Sequence, residues 1–301
     1  MKGKHIVSVS LGSTNRDYER RVALLGQEVR LERRGTDGDL RAAAALIRAC
    51  DGEVDAIGLG GIDLYFYIGN RRYTLRDAAR LAREAKVTPV VDGSGLKQSF
   101  EKRIIRELDS IIGWRGKRVL MVSALDRYGM ASSLEEQGAK VLYGDLIFGL
   151  GLPIPVYGIR TFRRAARTFL PLVTKLPISW LYPTGSKQDV DEKNSFSRFY
   201  AQADVVAGDW HFIRRYLPER ADGKVFLTNT TTTENVDLLR ERGAAKLITT
   251  TPRYEGRSIS TNVLEAALVA LASKFPLQGA EYDALTSQLG LRAEVLELNP
   301  H

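Results

Sequence analysis

The chain holds one cysteine, Cys50, and three histidines, His5, His211 and His301. One cysteine excludes a disulfide framework and a cysteine-ligated metal cluster. The histidines stand too far apart in sequence for metal-ligand spacing, so no metal site is expected. Cys50 closes the alanine-rich stretch RAAAALIRAC and reads as a small buried hydrophobe. No apolar run reaches the roughly 18–20 residues that cross a bilayer. The opening MKGKHIVSVS runs straight into a strand pattern without the apolar core and small-residue cleavage site of a signal peptide, which points to the cytoplasm. Also missing is the glycine fingerprint G-x-G-x-x-G. After the apolar run 118–122 its three positions are Ala124, Asp126 and Gly129, so only the last glycine is present.

What the chain does have is enough apolar material for a large core: 44% of its 301 residues, with 27% charged. The net charge is +8, which favours an anionic small-molecule substrate. The basic residues are scattered, and no nucleic-acid module is visible, so nucleic acid is not expected as a partner.

Apolar runs alternate with helical patterns along the chain. Strands are expected at 5–11, 28–34, 54–60 and 87–93, with a short helix after the first. Longer helices are expected at 39–50, capped by Asp37 or Asp39, and at 74–85, capped by Thr74 with Asp77 in its first turn. GWRGK (113–117) interrupts the series. It restarts with strands at 117–123, 139–145, 203–209, 224–229 and 246–251, and helices at 130–138, 234–243 and 260–273. Continuous apolar strands alternating with helices imply parallel sheets covered on both faces. The expected fold is α/β, with two doubly wound, Rossmann-like domains: 1–113 for substrate and 114–275 for a dinucleotide, followed by a C-terminal tail, 276–301. Residues 146–183 break the alternation with five prolines and a basic helix pattern, RTFRRAARTF. They read first as an insertion packed over the second sheet, then as a homodimer contact; a membrane surface ranks last.

In open parallel sheets, ligands bind beyond the carboxyl ends of the strands. The loops there are SLGSTNR, with Ser8, Ser10, Ser13 and Arg16 near it; GLGGIDLYFYIGNRRY, with Asp63, Asn70, Arg71 and Arg72; and VDGSGLK, with Asp92, Ser94 and Lys97. Lys97 and Asp92, separated by two glycines, form a candidate proton-transfer pair. In the second domain the loops offer Ser123, Asp126, Arg127 and Gly129, then Asp145, then Thr228, Asn229, Thr230 and Thr250. Asp145 ends a strand where a carboxylate grips the ribose of NAD and repels the extra phosphate of NADP. Helix capping explains the threonines equally well.

Taken together, SVSLGS, GGIDLYFYIGNRRYTLRDA, PVVDGSGLK, DRYGM, YGDLIFGLG, AGDWHFIRRY, TNTTT and LITTTP resemble a bacterial family usually labelled quinate 5-dehydrogenase. That resemblance implies an NAD- or NADP-dependent oxidoreductase of quinate or shikimate type, with Lys97 as the catalytic lysine and Ser8 and Ser10 on substrate hydroxyls. The chain lacks the N-x-T-x-P-x-K run that carries the lysine in that superfamily. The alternative is a protein that binds a nucleotide or phosphorylated ligand without redox chemistry. A third reading is a basic interaction protein working through 160–175.

Overall fold

The computed structural model describes residues 3–177, 196–251, 253–254 and 256–299. Residues 178–183 of the expected insertion lie outside them. The chain divides into two compact α/β units. One comprises 1–100, 169–188 and 260–290; the other comprises 101–168, 189–259 and 291–301.

The first unit is built on a five-stranded sheet. Its strands are β1 (Lys4–Ser10), β2 (Tyr18–Leu24), β3 (Gln27–Gly35), β4 (Ala56–Gly60) and β7 (Val90–Val91), in the order β2-β3-β1-β4-β7. β1 runs parallel to β3 and to β4, and β4 parallel to β7. All five residues of β4 are buried, as expected of a strand covered on both faces. Strand order reverses between β1 and β4, which is where a crevice opens in such folds.

Two expectations for this unit are corrected. The short helix after β1 is a single 3-10 turn, Thr14–Arg16, and then the chain forms β2, antiparallel to β3. The sequence YERRVAL alternates half-buried and exposed side chains, the period of a strand. Leu25 and Gly26, both at positive φ, close the two-residue turn of this hairpin. The stretch after β4 is a second hairpin and not a loop. Its strands are β5 (Tyr65–Ile68) and β6 (Arg71–Thr74), joined through Gly69 at φ 64°.

Helix α1 (Leu40–Cys50) is capped by Asp39, whose carboxylate accepts from the Arg41 and Ala42 amides, a contact worth about 1 kcal/mol. Helix α2 (Arg76–Ala82) starts after Leu75, so Thr74 belongs to the hairpin and caps nothing. Helix α3 (Ser94–Glu107) follows β7, and the short α4 (Asp109–Ile112) comes next.

The second unit carries a seven-stranded sheet. β8 (Arg118–Met121), β9 (Lys140–Tyr143), β11 (Val205–Ala207), β12 (Val225–Thr228) and β13 (Lys246–Thr249) are parallel. β10 (Val156–Tyr157) and β16 (Glu294–Glu297) are antiparallel edges, and the order is β10-β9-β8-β11-β12-β13-β16. A two-stranded ribbon, β14 (Arg253–Tyr254) with β15 (Arg257–Ser258), lies outside this sheet. The strand order reverses between β8 and β11. Helix α5 (Tyr128–Glu136) follows β8, and a π-turn (Asp145–Gly149) follows β9. Helix α6 (Ile159–Val173) lays Phe162 on the Tyr143 ring of β9, with centroids 4.5 Å apart. Helices α7 (Ser197–Gln202), α8 (Trp210–Arg215) and α9 (Thr233–Glu241) complete the cover. The Thr232 N–H donates to the Asn235 side chain at the start of α9, so Thr232 is the cap. Leu120, Val206, Phe226 and Leu247, one from each central strand, join Phe148 and Trp210 in one core.

Helix α10 (Thr261–Ala272) packs in the first unit, against β1 and β4, although it was expected with the second domain. Helix α11 (Gly279–Gln288) packs beside it.

Candidate functional site

The glycines of the first unit have a specific use. A Cβ on Gly58 would stand 2.9 Å from the Asn262 carbonyl, and one on Gly60 would stand 3.1 Å from the Asn262 side chain. A Cβ on Gly93 would stand 2.6 Å from the Thr261 hydroxyl. These positions therefore admit the first turn of α10, and the Asn262 amide donates to Ser8 Oγ at 2.7 Å. Gly93 also sits at φ 93°, where side chains are strained. Gly93→Ala is expected to cost about 1–3 kcal/mol of stability, read from urea unfolding. An unchanged midpoint would show that α10 can draw back.

Asp92 and Lys97 do not pair. The Asp92 carboxylate accepts from the Leu64 and Tyr65 amides at 2.5 and 3.1 Å and from the Ser94 amide and hydroxyl at 3.1 and 2.6 Å. It ties the β5–β6 hairpin to the start of α3. Lys97 reaches Asp63 instead, at 2.9 Å, with both residues buried. Glu265, the only ionisable residue of α10, lies buried nearby and accepts from the Tyr282 hydroxyl of α11. Burial, then the charge of Asp92, pushes the Glu265 carboxyl up to about 8, so it carries a proton at neutral pH. A Cβ on Gly95 would stand 2.5 Å from its Oε1.

The hairpin forms the rim of this group. Tyr65 and Tyr67 lie on its half-buried face, edge to face at 6.4 Å, and the Arg72 guanidinium stands 4.3 Å from the Tyr65 ring centroid. Burial raises the pKa of both tyrosines; Arg72 opposes it, while Asp92 and Glu265 add to it. Asn70, Arg71 and Arg72 are exposed. The group thus combines a buried lysine–carboxylate pair, a protonated carboxyl and aromatic faces. Such concentrations of perturbed ionisable groups cluster at functional sites.

The other loop residues of this unit lie where the β1 turn meets the turn after β4: the Leu11 amide donates to the Gly60 carbonyl. Ser10 Oγ accepts from the Gly12 amide and the Arg33 guanidinium, which also holds Asp17 at 2.6 Å. Ser13 Oγ accepts from the Asn15 amide, and the Arg16 guanidinium lies against Gly12. These contacts shape the turn.

In the second unit the residues expected to hold NAD are turned inward. Asp145 is the clearest correction. Its carboxylate accepts from the Leu125 amide at 2.8 Å, in the turn after β8 that would have to cradle a pyrophosphate. The protein's own carboxyl occupies the anion position. Burial, the largest influence, lifts Asp145 to about 7 against the pull of the Leu125 and Ala124 amides. Arg127 is fully buried, paired with buried Glu101, with Asp126 at 3.5 Å and Asp209 at 3.8 Å. Ser123 Oγ accepts from the Asp209 amide, Thr228 donates to the Gly208 carbonyl, and the Thr250 amide donates to the Thr228 carbonyl. Gly129 is buried in the first turn of α5. Asn229 is buried and Thr230 half-buried. A cavity of ≈ 430 Å³ opens at the opposite, amino-terminal edge of this sheet, lined by Lys117, Arg118, Asp204, Lys224 and Lys246 among others. It is a gap under the sheet edge, away from the strand ends where the loop chemistry stands.

Sequence reading missed Glu265, Tyr282, Tyr65 and Tyr67. A lone glutamate in an otherwise apolar helix was the available signal for Glu265. Nothing local marked Tyr282.

Two family models match the chain: Domain of unknown function (DUF8753) over residues 5–92 and Domain of unknown function (DUF8754) over residues 95–298. They overturn the assignment to quinate 5-dehydrogenases. No curated protein matches the sequence. Among solved structures the chain is similar to a solute-binding protein of an ABC transporter from Agrobacterium vitis with bound allitol, at 12% identity, 99% and 96% coverage and a TM-score of 0.40. It is also similar to GanP, a glucose-galactose binding protein from Geobacillus stearothermophilus, at 11% identity, 99% and 98% coverage and a TM-score of 0.38. A third is the periplasmic component of the arabinose ABC transporter from Shewanella sp. ANA-3, at 8% identity, 95% and 97% coverage and a TM-score of 0.37. Likeness of this size says nothing of what this chain binds. With Asp145 bound to the backbone of the turn after β8, the expectation of an NAD- or NADP-dependent oxidoreductase does not stand. The cytoplasmic expectation does not stand either, because it was drawn from the first residues alone.

Proposed function

The chain belongs to the family described as Domain of unknown function (DUF8754), and we propose that it is a binding protein for a small polyhydroxylated molecule, free or phosphorylated, acting without redox chemistry. The observation that carries this reading is the buried group around Lys97 and Asp63. Asp63 accepts hydroxyl hydrogens and Lys97 donates to hydroxyl or phosphate oxygens. The protonated Glu265 adds a donor. Tyr65 and Tyr67 give flat apolar faces for the C–H side of a polyol, and Arg72 at the rim adds positive charge for an anionic substituent. Lys97, expected as a catalyst, becomes a ligand contact here.

The test is a thermal-shift and calorimetric panel of polyols, monosaccharides, sugar phosphates, NAD and NADP. At least one hydroxylated ligand is expected to raise the melting temperature, and the dinucleotides are not. Replacing Lys97 and Asp63 together (Lys97→Met with Asp63→Leu) should weaken that ligand at least tenfold. Micromolar NAD binding, or an affinity unmoved by the double replacement, would overturn the reading.

A further inference from the structure

The stretch that interrupts the β/α alternation carries the most lopsided surface of the chain. From residue 146 to residue 177 there is no aspartate or glutamate, while Arg160, Arg163, Arg164, Arg167 and Lys175 are all basic. Leu150, Leu152, Ile154 and Tyr157 stand 56, 45, 52 and 59% exposed. Their loop is ordered by its own backbone. The Leu152 amide donates to the Leu146 carbonyl, the Ile154 amide to the Leu152 carbonyl, and Tyr157 pairs with Leu142 in β10. The apolar side chains are therefore displayed by a built turn. Directly after it, α6 buries Phe162, Ala166 and Leu170. Its outward side carries Arg160, Arg164 and Arg167, spaced i, i+4, i+7 and exposed. Phe169 and Leu172 of the same helix are exposed too.

We infer that this segment docks the protein on an anionic lipid bilayer. The apolar loop enters the boundary between headgroups and acyl chains, and the arginine stripe of α6 lies along the headgroup phosphates. Two features select this occupant. Large apolar side chains grouped on one exposed loop are costly in water and are recovered by a lipid boundary. A cationic stripe with no acid in the surrounding thirty-two residues, 146–177, matches a negatively charged surface. A second copy of the chain would bring an identical basic stripe against this one, so charge opposes self-association through it. The segment does not cross the bilayer: among the described residues no helix is long and apolar enough.

The experiment is vesicle co-sedimentation of the full chain. One set of vesicles is phosphatidylcholine alone; the other contains an equal part of phosphatidylglycerol. Binding is expected only to the second set, weakening at least tenfold in high salt. Leu152→Ser with Ile154→Ser should lower it at least fivefold, and Arg160→Gln with Arg164→Gln and Arg167→Gln at least tenfold. A control set, Arg21→Gln with Arg80→Gln and Arg220→Gln, removes the same charge from exposed positions elsewhere and should leave most of the binding intact. Equal losses in the control and α6 sets would show adsorption by net charge and overturn the inference. So would failure to bind anionic vesicles, or a dimer in light scattering that Leu152→Ser with Ile154→Ser turns into a monomer.

Discussion

Moving the protein from about pH 5 to about pH 9 is expected to lower its unfolding free energy by several kcal/mol, opposite to the usual behaviour of paired carboxylates. Two acids drive this, buried Glu265 and half-buried Asp145. Glu265 is lifted from 4.5 to about 8 and Asp145 from 3.8 to about 7, in each case chiefly by burial. Both folded-state values lie above the unfolded ones, so the folded chain holds these protons more tightly. Below the unfolded values both states are protonated, and the stability linked to these groups is fully present. It falls as pH rises through each window, and the loss is complete above about 7 for Asp145 and about 8 for Glu265. A carboxyl moved this far contributes at most about 5 kcal/mol. Asp51 and Asp204, held at about 2 by backbone amides and by Arg118, behave the other way, but their loss begins only in more acid solution. Urea unfolding across the range should show the slope. Glu265→Gln should lower the slope throughout and remove it above about pH 7, whereas Asp145→Asn should lower it only below about pH 7. A wild-type profile with no slope would show that these carboxyls are hydrated, and the account of both sites would then fail.

The parallel strands were legible because a strand buried on both faces reads as an apolar run, and β1, β4, β8, β12 and β13 all do. The two hairpins were hidden for opposite reasons. In YERRVAL the inward side chains are Tyr18, Arg20, Val22 and Leu24, a polar mixture that conceals the period of two. In YFYIGNRRY the aromatic run resembled a decorated loop, although Gly69 marks a tight turn. The glycine loops were located correctly at strand ends, but what approaches them is α10, contributed from some 200 residues later in the chain. No local pattern announces such a partner. The same holds for Lys97. Its nearest acid in sequence, Asp92, serves four donors of the hairpin and the α3 start, while Asp63 arrives from the turn after β4. Asp145 stands where a ribose carboxylate would, yet its partner is the backbone of the neighbouring turn. Strand ends tell which residues gather; the hydrogen bonds already made there tell which remain for a ligand.

Lys97→Met alone is expected to destabilise the fold by about 3–5 kcal/mol, because it takes a buried ammonium from 2.9 Å of the buried Asp63 carboxylate. Asp63→Leu alone should cost a similar amount by removing the carboxylate that holds the ammonium. The two together should restore most of that loss, since apolar side chains of comparable size fill the space without a desolvated charge. The double-mutant cycle from urea unfolding gives the coupling directly. Its consequence for function is sharper than that of either single change. If the pair were retained for stability, the refolded double variant would bind ligand as the wild type does. If it is retained for recognition, the double variant should recover most of the wild-type stability and lose at least tenfold in affinity for the hydroxylated ligand. Strict additivity of the two single losses would mean that Asp63 and Lys97 act separately, and the ligand site would then have to be sought elsewhere than at this pair.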